Sequence, residues 1–191
     1  MTPAVTARDR LDGRRSQEVF RVLLETLARP GRVSQLPSAG LGASVVPLAL
    51  AGVDSSFAVI GDTDWEQRVR AATGATAVEP ESAPLVAVCG RCDGETIRRL
   101  RPGSALAPEE GAKVGIDCDE LRPAGPGALT LVLSGPGVVG SVVLGVEGLD
   151  PGVVEARREL TSGFPAGIDV WLVDRSGRVA GIPRTTTVEV R

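Results

Sequence analysis

The sequence predicts a single α/β domain in which helices flank a mixed β-sheet. The 191 residues suffice for one such domain with a full core, but not for two domains of ordinary size. Segments with helical and with strand patterns are interspersed along the chain, which is typical of α/β proteins. Two strands near the C-terminus are joined by a short turn, and such a hairpin adds an antiparallel strand to a sheet.

The first predicted element is an amphipathic helix preceded by a polar arm. Residues 1–14 are polar and charged, so we expect a flexible arm there and one domain over residues 15–191. Ser16 is the predicted N-cap of the helix. The apolar residues after it recur at helical spacing: Val19, Phe20, Leu23, Leu24, Leu27 and Ala28. Pro30 ends the helix, because a proline disfavours α geometry at the residue before it.

The middle of the chain alternates between short apolar runs and short helical patterns. Apolar runs bounded by Gly, Pro or Asp predict buried strands. Asp64 is the predicted cap of a helix over residues 65–73. The predicted elements are, in order, a buried helix over 45–51, a strand over 57–60, the helix over 65–73, a strand over 85–89, a helix over 95–100, and strands over 112–116, 129–133 and 138–146.

The C-terminal part carries the clearest local signals. Asp150 and Pro151 predict a helix start, because a capping residue is followed by proline at the first helical position. That helix carries Val153, Val154, Arg157 and Leu160, and Gly163 ends it. The remaining elements are a strand over 170–173, a hairpin turn over 174–177, a strand over 179–182 and a strand over 187–190 that extends the same sheet.

Composition excludes several classes of function. The formal net charge is −3 and no stripe of Lys and Arg is present, so no nucleic-acid partner is expected. The sequence has neither an apolar stretch of membrane-spanning length nor a signal-peptide core, so we expect a cytoplasmic protein without a membrane partner. The absence of histidine excludes a histidine general base, a Ser-His-Asp triad and a histidine-ligated zinc. Lys113, the only lysine, is the one candidate for a Schiff base.

Two motifs suggest cofactor or redox chemistry. Residues 135–140 match G-x-G-x-x-G, but a nucleotide site needs a helix next, and the following residues have a strand pattern. We therefore predict a turn between two strands. Cys89 and Cys92 form a C-x-x-C pair between a strand and a helix, which is the position of a thioredoxin-like dithiol. A zinc site formed by these cysteines with Cys118 and a neighbouring aspartate is a weaker alternative.

A third group of candidate residues is polar. Arg184, Thr185 and Thr186 bring a planar cation and two hydroxyls together, which suits a phosphate, a phosphonate or a carboxylate. The alternative is an internal ion pair between Arg184 and Asp169, because a buried carboxylate needs a partner. The two glutamates at 109–110 are consecutive, and consecutive side chains on an extended chain point to opposite faces, so we expect a loop and not a carboxylate dyad.

Five groups of short motifs together resemble those of a known family. They are residues 20–24 (Phe-Arg-Val-Leu-Leu) with 30–31 (Pro-Gly), residues 103–105 (Gly-Ser-Ala) with 108–112 (Pro-Glu-Glu-Gly-Ala), residues 134–137 (Ser-Gly-Pro-Gly), residues 164–169 (Phe-Pro-Ala-Gly-Ile-Asp) and residues 182–186 (Ile-Pro-Arg-Thr-Thr). Their order and spacing, from about Ser16 to Val190, resemble the PhnH family. Members of that family are subunits of the bacterial carbon–phosphorus lyase system for phosphonate utilisation.

The resemblance implies a three-layer α/β/α sandwich that is similar to the large domain of pyridoxal-phosphate-dependent transferases but carries no such cofactor. It implies a homodimer in isolation and a core complex with the PhnG, PhnI and PhnJ subunits. With these partners the family is implicated in forming ribose 1-phosphonate 5-triphosphate from ATP and an alkylphosphonate. No separate reaction is implied for this subunit, so we expect no catalytic residue, cofactor or metal in the isolated chain.

The resemblance also guides the expected roles of individual residues. The expected structural or interface residues are Asp169, Pro108, Glu109, Gly111, Gly135 and Gly137, and the expected anion ligands are Arg184, Thr185 and Thr186. The chain departs from the family pattern at Thr187, where some members have histidine, and at Lys113, where the family has threonine. The alternative to a complex subunit is a thiol–disulfide oxidoreductase that uses Cys89 and Cys92.

Overall fold

The structure, a computed structural model, describes residues 13–191. Most of the expected arm at 1–14 lies outside the described residues, and its last two residues, Gly13 and Arg14, belong to the first helix. Ser16 therefore lies inside this helix and is not its N-cap. The strong apolar periodicity begins at Val19, but the helical backbone extends further toward the N-terminus than that pattern does.

Five α-helices are present in residues 13–191. They are α1 (Gly13–Ala28), α2 (Val45–Leu50), α3 (Thr63–Thr73), α4 (Gly94–Arg98) and α5 (Pro151–Thr161). Asp62, and not the predicted Asp64, caps α3, since its carboxylate accepts from the backbone N–H groups of Asp64 and Trp65. Asp150 caps α5 as predicted and accepts from Gly152. None of these helices is long and apolar enough to cross a membrane.

The strands of the described residues form two sheets. They are β1 (Val33–Gln35), β2 (Ser56–Ile60), β3 (Thr76–Ala77), β4 (Leu85–Val88), β5 (Lys113–Cys118), β6 (Glu120–Arg122), β7 (Leu129–Ser134), β8 (Val142–Glu147), β9 (Asp169–Asp174), β10 (Arg178–Ile182) and β11 (Thr187–Val190). The first sheet has the order β1-β10-β9-β5-β4-β2-β3, and the second has the order β11-β7-β8-β6. The strands β1, β3 and β6 were not predicted, because strands of two or three residues are too short to show an alternation of apolar and polar residues.

The seven-stranded sheet is mixed, as predicted. Its strands β9, β5, β4, β2 and β3 run parallel. The predicted turn at residues 174–177 joins β9 to β10 in an antiparallel pair, and β1 adds a further antiparallel strand at that edge. A turn this short permits only antiparallel pairing, because parallel strands need a long crossover connection.

Helices cover both faces of this sheet and create two apolar cores. Along β9, Trp171 and Val173 pack with α1, α2 and α3, whereas Val170 and Leu172 pack with α4, α5 and the second sheet. Adjacent residues of a strand point to opposite faces, so one strand contributes to both cores. The predicted α/β class and its helix-flanked mixed sheet are confirmed. The similarity to pyridoxal-phosphate-dependent transferases stays a prediction.

The second sheet was not predicted. β7 and β8 form an antiparallel hairpin, and β11 pairs with β7. The expectation that residues 187–190 extend the main sheet is therefore wrong. Four buried side chains of β7 and β8 belong to the core that α5 covers: Leu131, Leu133, Leu144 and Val146. The turn at residues 183–186 carries the chain from β10 onto β7, so the last strand closes this smaller sheet.

Candidate functional site

The C-terminal motifs meet at an ion pair between Asp169 and Arg184. Asp169 begins β9 and Arg184 follows β10, so the hairpin brings them together. The guanidinium donates from Nε to Oδ1 at 3.2 Å and from Nη2 to Oδ2 at 2.6 Å, and the Arg184 backbone N–H donates to Oδ1 at 2.9 Å. Each side chain is only 13% exposed. Of the two predicted alternatives for Arg184, the structure contains the internal ion pair.

The loop that begins at Pro108 packs against this ion pair. Nη1 of Arg184 donates to the carbonyl of Pro108. Gly111 lies where a side chain would not fit, because an added Cβ would overlap the carbonyl oxygen of Gly167 and lie 2.9 Å from that of Pro102. The backbone N–H of Gly167 donates to Pro102 at 2.7 Å. Glycine at 111 therefore allows two of the motifs to touch through their backbones.

The turn between β7 and β8 approaches the same C-terminal segment. At Gly135 (φ 130°) an added Cβ would lie 2.9 Å from the carbonyl oxygen of Thr185. At Gly137 (φ 82°) it would overlap the carbonyl oxygen of Ala28 at the end of α1. The G-x-G-x-x-G sequence at residues 135–140 is thus a turn between two strands, as predicted. Gly135 and Gly137 permit close backbone contacts with segments that are distant in sequence, whereas an added Cβ at Gly140 would meet nothing within 4 Å.

The charged residues of the central loop hold its shape. Glu110 pairs with Arg101 at 2.9 Å, whereas Glu109 contributes its backbone carbonyl, which accepts from Nζ of Lys113 at 2.9 Å. The same Nζ donates to the carbonyl of Gly111 at 3.3 Å. Burial lowers the pKa of Lys113, because its charged form loses hydration. The two glutamates make separate contacts, as expected for a loop, and the lysine is bound to two carbonyls.

Arg157, for which no role was predicted, is a buried cation whose charge interacts with Asp169. Arg157 is only 5% exposed. Its Nη1 and Nη2 donate to the carbonyl of Thr186, each at 3.2 Å, and Nη2 donates to that of Pro183 at 2.6 Å. Burial lowers the pKa of Arg157 to about 10, against the attraction of Asp169, so the guanidinium stays protonated at neutral pH. The available signal was an arginine within the apolar stripe of α5.

Arg157 and Thr186 border a pocket of about 430 Å³. Thr186 is 3% exposed, and among the described residues neither its Oγ1 nor Nε of Arg157 has a hydrogen-bond partner. Arg184 and the exposed Thr185 border the same pocket. The three predicted anion ligands thus lie together at one pocket, but the Arg184 guanidinium is bound to Asp169. Arg157, which was not predicted as a ligand, borders the same pocket.

The cysteine pair lies after the carboxyl end of β4. Burial raises the pKa of Cys89 to about 11, although a hydrogen bond with Ser44 at 3.4 Å opposes the shift, and burial raises the pKa of Cys92 to about 12. A dithiol oxidoreductase needs a thiolate near neutral pH, and these environments disfavour it. Within residues 13–191, no group of three or more His, Cys, Asp or Glu side chains is placed to hold a metal ion.

A crevice of about 1040 Å³ lies at the carboxyl ends of β4, β5 and β9. Open α/β sheets commonly bind ligands at this position. Here the carboxylates hold the surrounding loops: Asp117 accepts from Ala43 at 2.6 Å and from Gly90 at 3.0 Å, while Asp93 and Asp150 cap α4 and α5. Burial raises the pKa of Asp117 in spite of these two hydrogen bonds. These contacts give the acidic lining a structural role.

One face of α1 is apolar and exposed. Phe20 is 45% exposed and Leu24 is 56% exposed, and they lie one helical turn apart. With Leu27, Leu50 and Trp171 they border a groove of about 570 Å³. Exposed apolar side chains that cluster in this way are typical of surfaces that contact another protein.

Comparison with known proteins identifies the family. The family described as bacterial phosphonate metabolism protein (PhnH) matches residues 11–189. A putative C-P lyase subunit protein, HtxG of Stutzerimonas stutzeri, is 33% identical over 183 residues, which are 93% of this chain and 87% of that protein. The alpha-D-ribose 1-methylphosphonate 5-triphosphate synthase subunit PhnH of Rhizobium meliloti (strain 1021) is 26% identical over 187 residues, or 91% and 90% of the two chains. The chain therefore belongs to the PhnH family, and its role lies in phosphonate metabolism.

Proposed function

We propose that this chain is a non-catalytic subunit of a carbon–phosphorus lyase core complex in phosphonate catabolism. The observation that carries the proposal is the family match over residues 11–189, together with relatives whose names describe them as subunits. In this role the chain acts with PhnG, PhnI and PhnJ subunits in forming ribose 1-phosphonate 5-triphosphate from ATP and an alkylphosphonate. It works in the cytoplasm, and the isolated chain is a homodimer.

The contacts of the motif residues support a structural role. Asp169 and Arg184 bind each other, and Gly111 and Gly135 allow neighbouring backbones to approach. A general acid or base must reach the proton that it transfers, and side chains bound to one another are poorly placed for this. The chain also has no histidine and no tyrosine. We therefore assign the chemistry to the partner subunits.

We assign the apolar face of α1 to the contact with a partner subunit. Its exposed residues, Phe20 and Leu24, belong to the motif at residues 20–24 that supports the family resemblance. Both side chains are apolar, lie one helical turn apart and are exposed in the isolated chain. A subunit with a matching apolar surface would bury them, and burial of apolar area is the main driving force of such association.

A pull-down from cells grown on a phosphonate tests the proposal. The tagged full chain should recover the PhnG, PhnI and PhnJ subunits, identified by mass spectrometry. Repeated recovery of the chain alone would contradict the assigned role. The Leu24→Glu variant should lose these partners, whereas Arg21→Glu, an exposed change of charge on the same helix, should retain them. If Leu24→Glu abolishes only the homodimer, measured by light scattering, the assignment of this face to a partner subunit is wrong.

A further inference from the structure

We infer that the pocket beside Arg157 binds a small tetrahedral oxyanion of the phosphate or phosphonate class, with Arg157 and Thr186 as its innermost ligands. The pocket lies between the end of α5 and the segment 183–187, and its volume of about 430 Å³ is typical of small-molecule sites. The choice of a phosphorus anion rests on the role in phosphonate metabolism. The oxyanion site itself rests on the contacts below and does not depend on any partner subunit.

Arg157 carries a buried positive charge that no carboxylate matches. Among the described residues it forms no ion pair, and its guanidinium donates only to the backbone carbonyls of Pro183 and Thr186. Asp169, the carboxylate whose charge raises the pKa of Arg157, already uses both oxygens to bind Arg184. Two largely buried guanidinium groups therefore share one carboxylate. Buried charges in proteins are normally paired, and a bound anion would supply the missing partner.

Arg157 and Thr186 keep hydrogen-bond donors that no group among the described residues accepts from. The carbonyl contacts of Arg157 use one hydrogen of Nη1 and both hydrogens of Nη2, which leaves Nε and the second hydrogen of Nη1. Oγ1 of Thr186 is buried and has no partner either. Native proteins leave few buried donors unpaired. A guanidinium and separate hydroxyls, including those of Thr185 and Thr187 at the pocket, suit the three oxygens of a tetrahedral anion.

Two hydroxyls reduce the repulsion that the end of α5 would exert on an anion. The last carbonyls of a helix carry partial negative charge. Thr161 donates from Oγ1 to the carbonyl of Arg157 at 3.0 Å, and Ser162 donates from Oγ to the carbonyl of Glu159 at 2.7 Å. These bonds give further donors to carbonyls in the last turns of α5, of which that of Glu159 also accepts from the backbone N–H of Ser162 at 3.3 Å.

The rim of the pocket distinguishes two sources of the anion. Phe164, which is 68% exposed, and Pro136 border the opening with apolar atoms. An organic phosphonate can place its carbon substituent against this rim, whereas inorganic phosphate has no such group. We therefore expect methylphosphonate to bind at least as tightly as inorganic phosphate, although its lower charge weakens the attraction to Arg157.

Thermal unfolding and calorimetry of the full chain with inorganic phosphate and with methylphosphonate test the site. Millimolar phosphate should raise the midpoint of unfolding above that in chloride of equal ionic strength. The Thr186→Val variant should keep the midpoint of the free protein, because the lost hydroxyl has no protein partner, and should bind phosphate about tenfold more weakly. Arg157→Lys should lose binding and also stability. Arg70→Gln, on α3, is the matched control and should bind like the unaltered chain.

Three outcomes would overturn the inference. Equal midpoints in phosphate and chloride would show that the pocket takes no anion. Unchanged phosphate binding in Thr186→Val would place the anion elsewhere. A destabilised free Thr186→Val protein would show that the hydroxyl already has a partner within the fold. None of these outcomes bears on the pull-down, so the site and the subunit role can fail separately.

Discussion

Replacing Asp169 with asparagine is expected to destabilise the fold by about 3 kcal/mol. The carboxylate accepts three hydrogen bonds from Arg184, and both side chains are only 13% exposed. Removing one partner of a buried ion pair costs about 3–5 kcal/mol, because the other charge is left buried without a counter-ion. The remaining exposure of this pair lets water screen part of the charge, so we expect the lower end of that range.

Urea unfolding followed by tryptophan fluorescence measures this loss. Trp171 lies two residues along β9 and is only 3% exposed, so its emission reports directly on this part of the sheet. A loss of this size should lower the thermal midpoint by about 6–12 °C. The matched control is Glu159→Gln, which breaks a two-bond pair of 2.8 and 2.9 Å with Arg98 whose side chains are 47% and 41% exposed. If Asp169→Asn costs no more than this control, burial of the Asp169 pair does not stabilise the fold.

Two further predictions concern backbone packing and the thiols. Gly111→Ala should lower the free energy of unfolding, measured in urea, by about 1–3 kcal/mol. The φ of −58° at Gly111 suits alanine, but the added Cβ would overlap a backbone carbonyl oxygen. Gly52→Ala, whose added Cβ would meet nothing within 4 Å, should leave the free energy of unfolding unchanged, and equal losses in the two variants would refute the steric argument. The alkylation rate of Cys89 and Cys92 should rise about tenfold per pH unit from pH 7 to 10, since burial raises their pKa to about 11 and about 12. A plateau near pH 8.5 would instead indicate ordinary thiols.

Local signals in the sequence were sufficient for most helices and for the C-terminal hairpin. The start of α5 was predictable because Asp150 caps it and proline follows. The turn at residues 174–177 was predictable because a short polar segment separates two apolar runs. The second sheet was not predictable in this way, since β11 pairs with β7, more than 50 positions earlier in the sequence. Such a pairing depends on which apolar surface is left uncovered after the main sheet has formed.

The candidate site was predictable only in part, for a similar reason. The pair of Asp169 and Arg184 could be proposed because each residue is charged and both flank the hairpin. Arg157 could not be assigned a role, because its contacts are to backbone carbonyls, which every residue possesses. An ion pair between two side chains can therefore be predicted from sequence more readily than a contact between a side chain and backbone carbonyls.

The turn at residues 183–186 connects the stability of the fold with the proposed anion site. Asp169 holds the turn through the backbone N–H and the side chain of Arg184, and Arg157 holds it through the carbonyls of Pro183 and Thr186. Because Arg184 takes both oxygens of Asp169, Arg157 is left to bind neutral carbonyls and keeps an unmatched charge. The ion pair that joins the motifs thus leaves the charge of Arg157 without a partner at the pocket, and this unpaired charge is the basis of the proposed anion site.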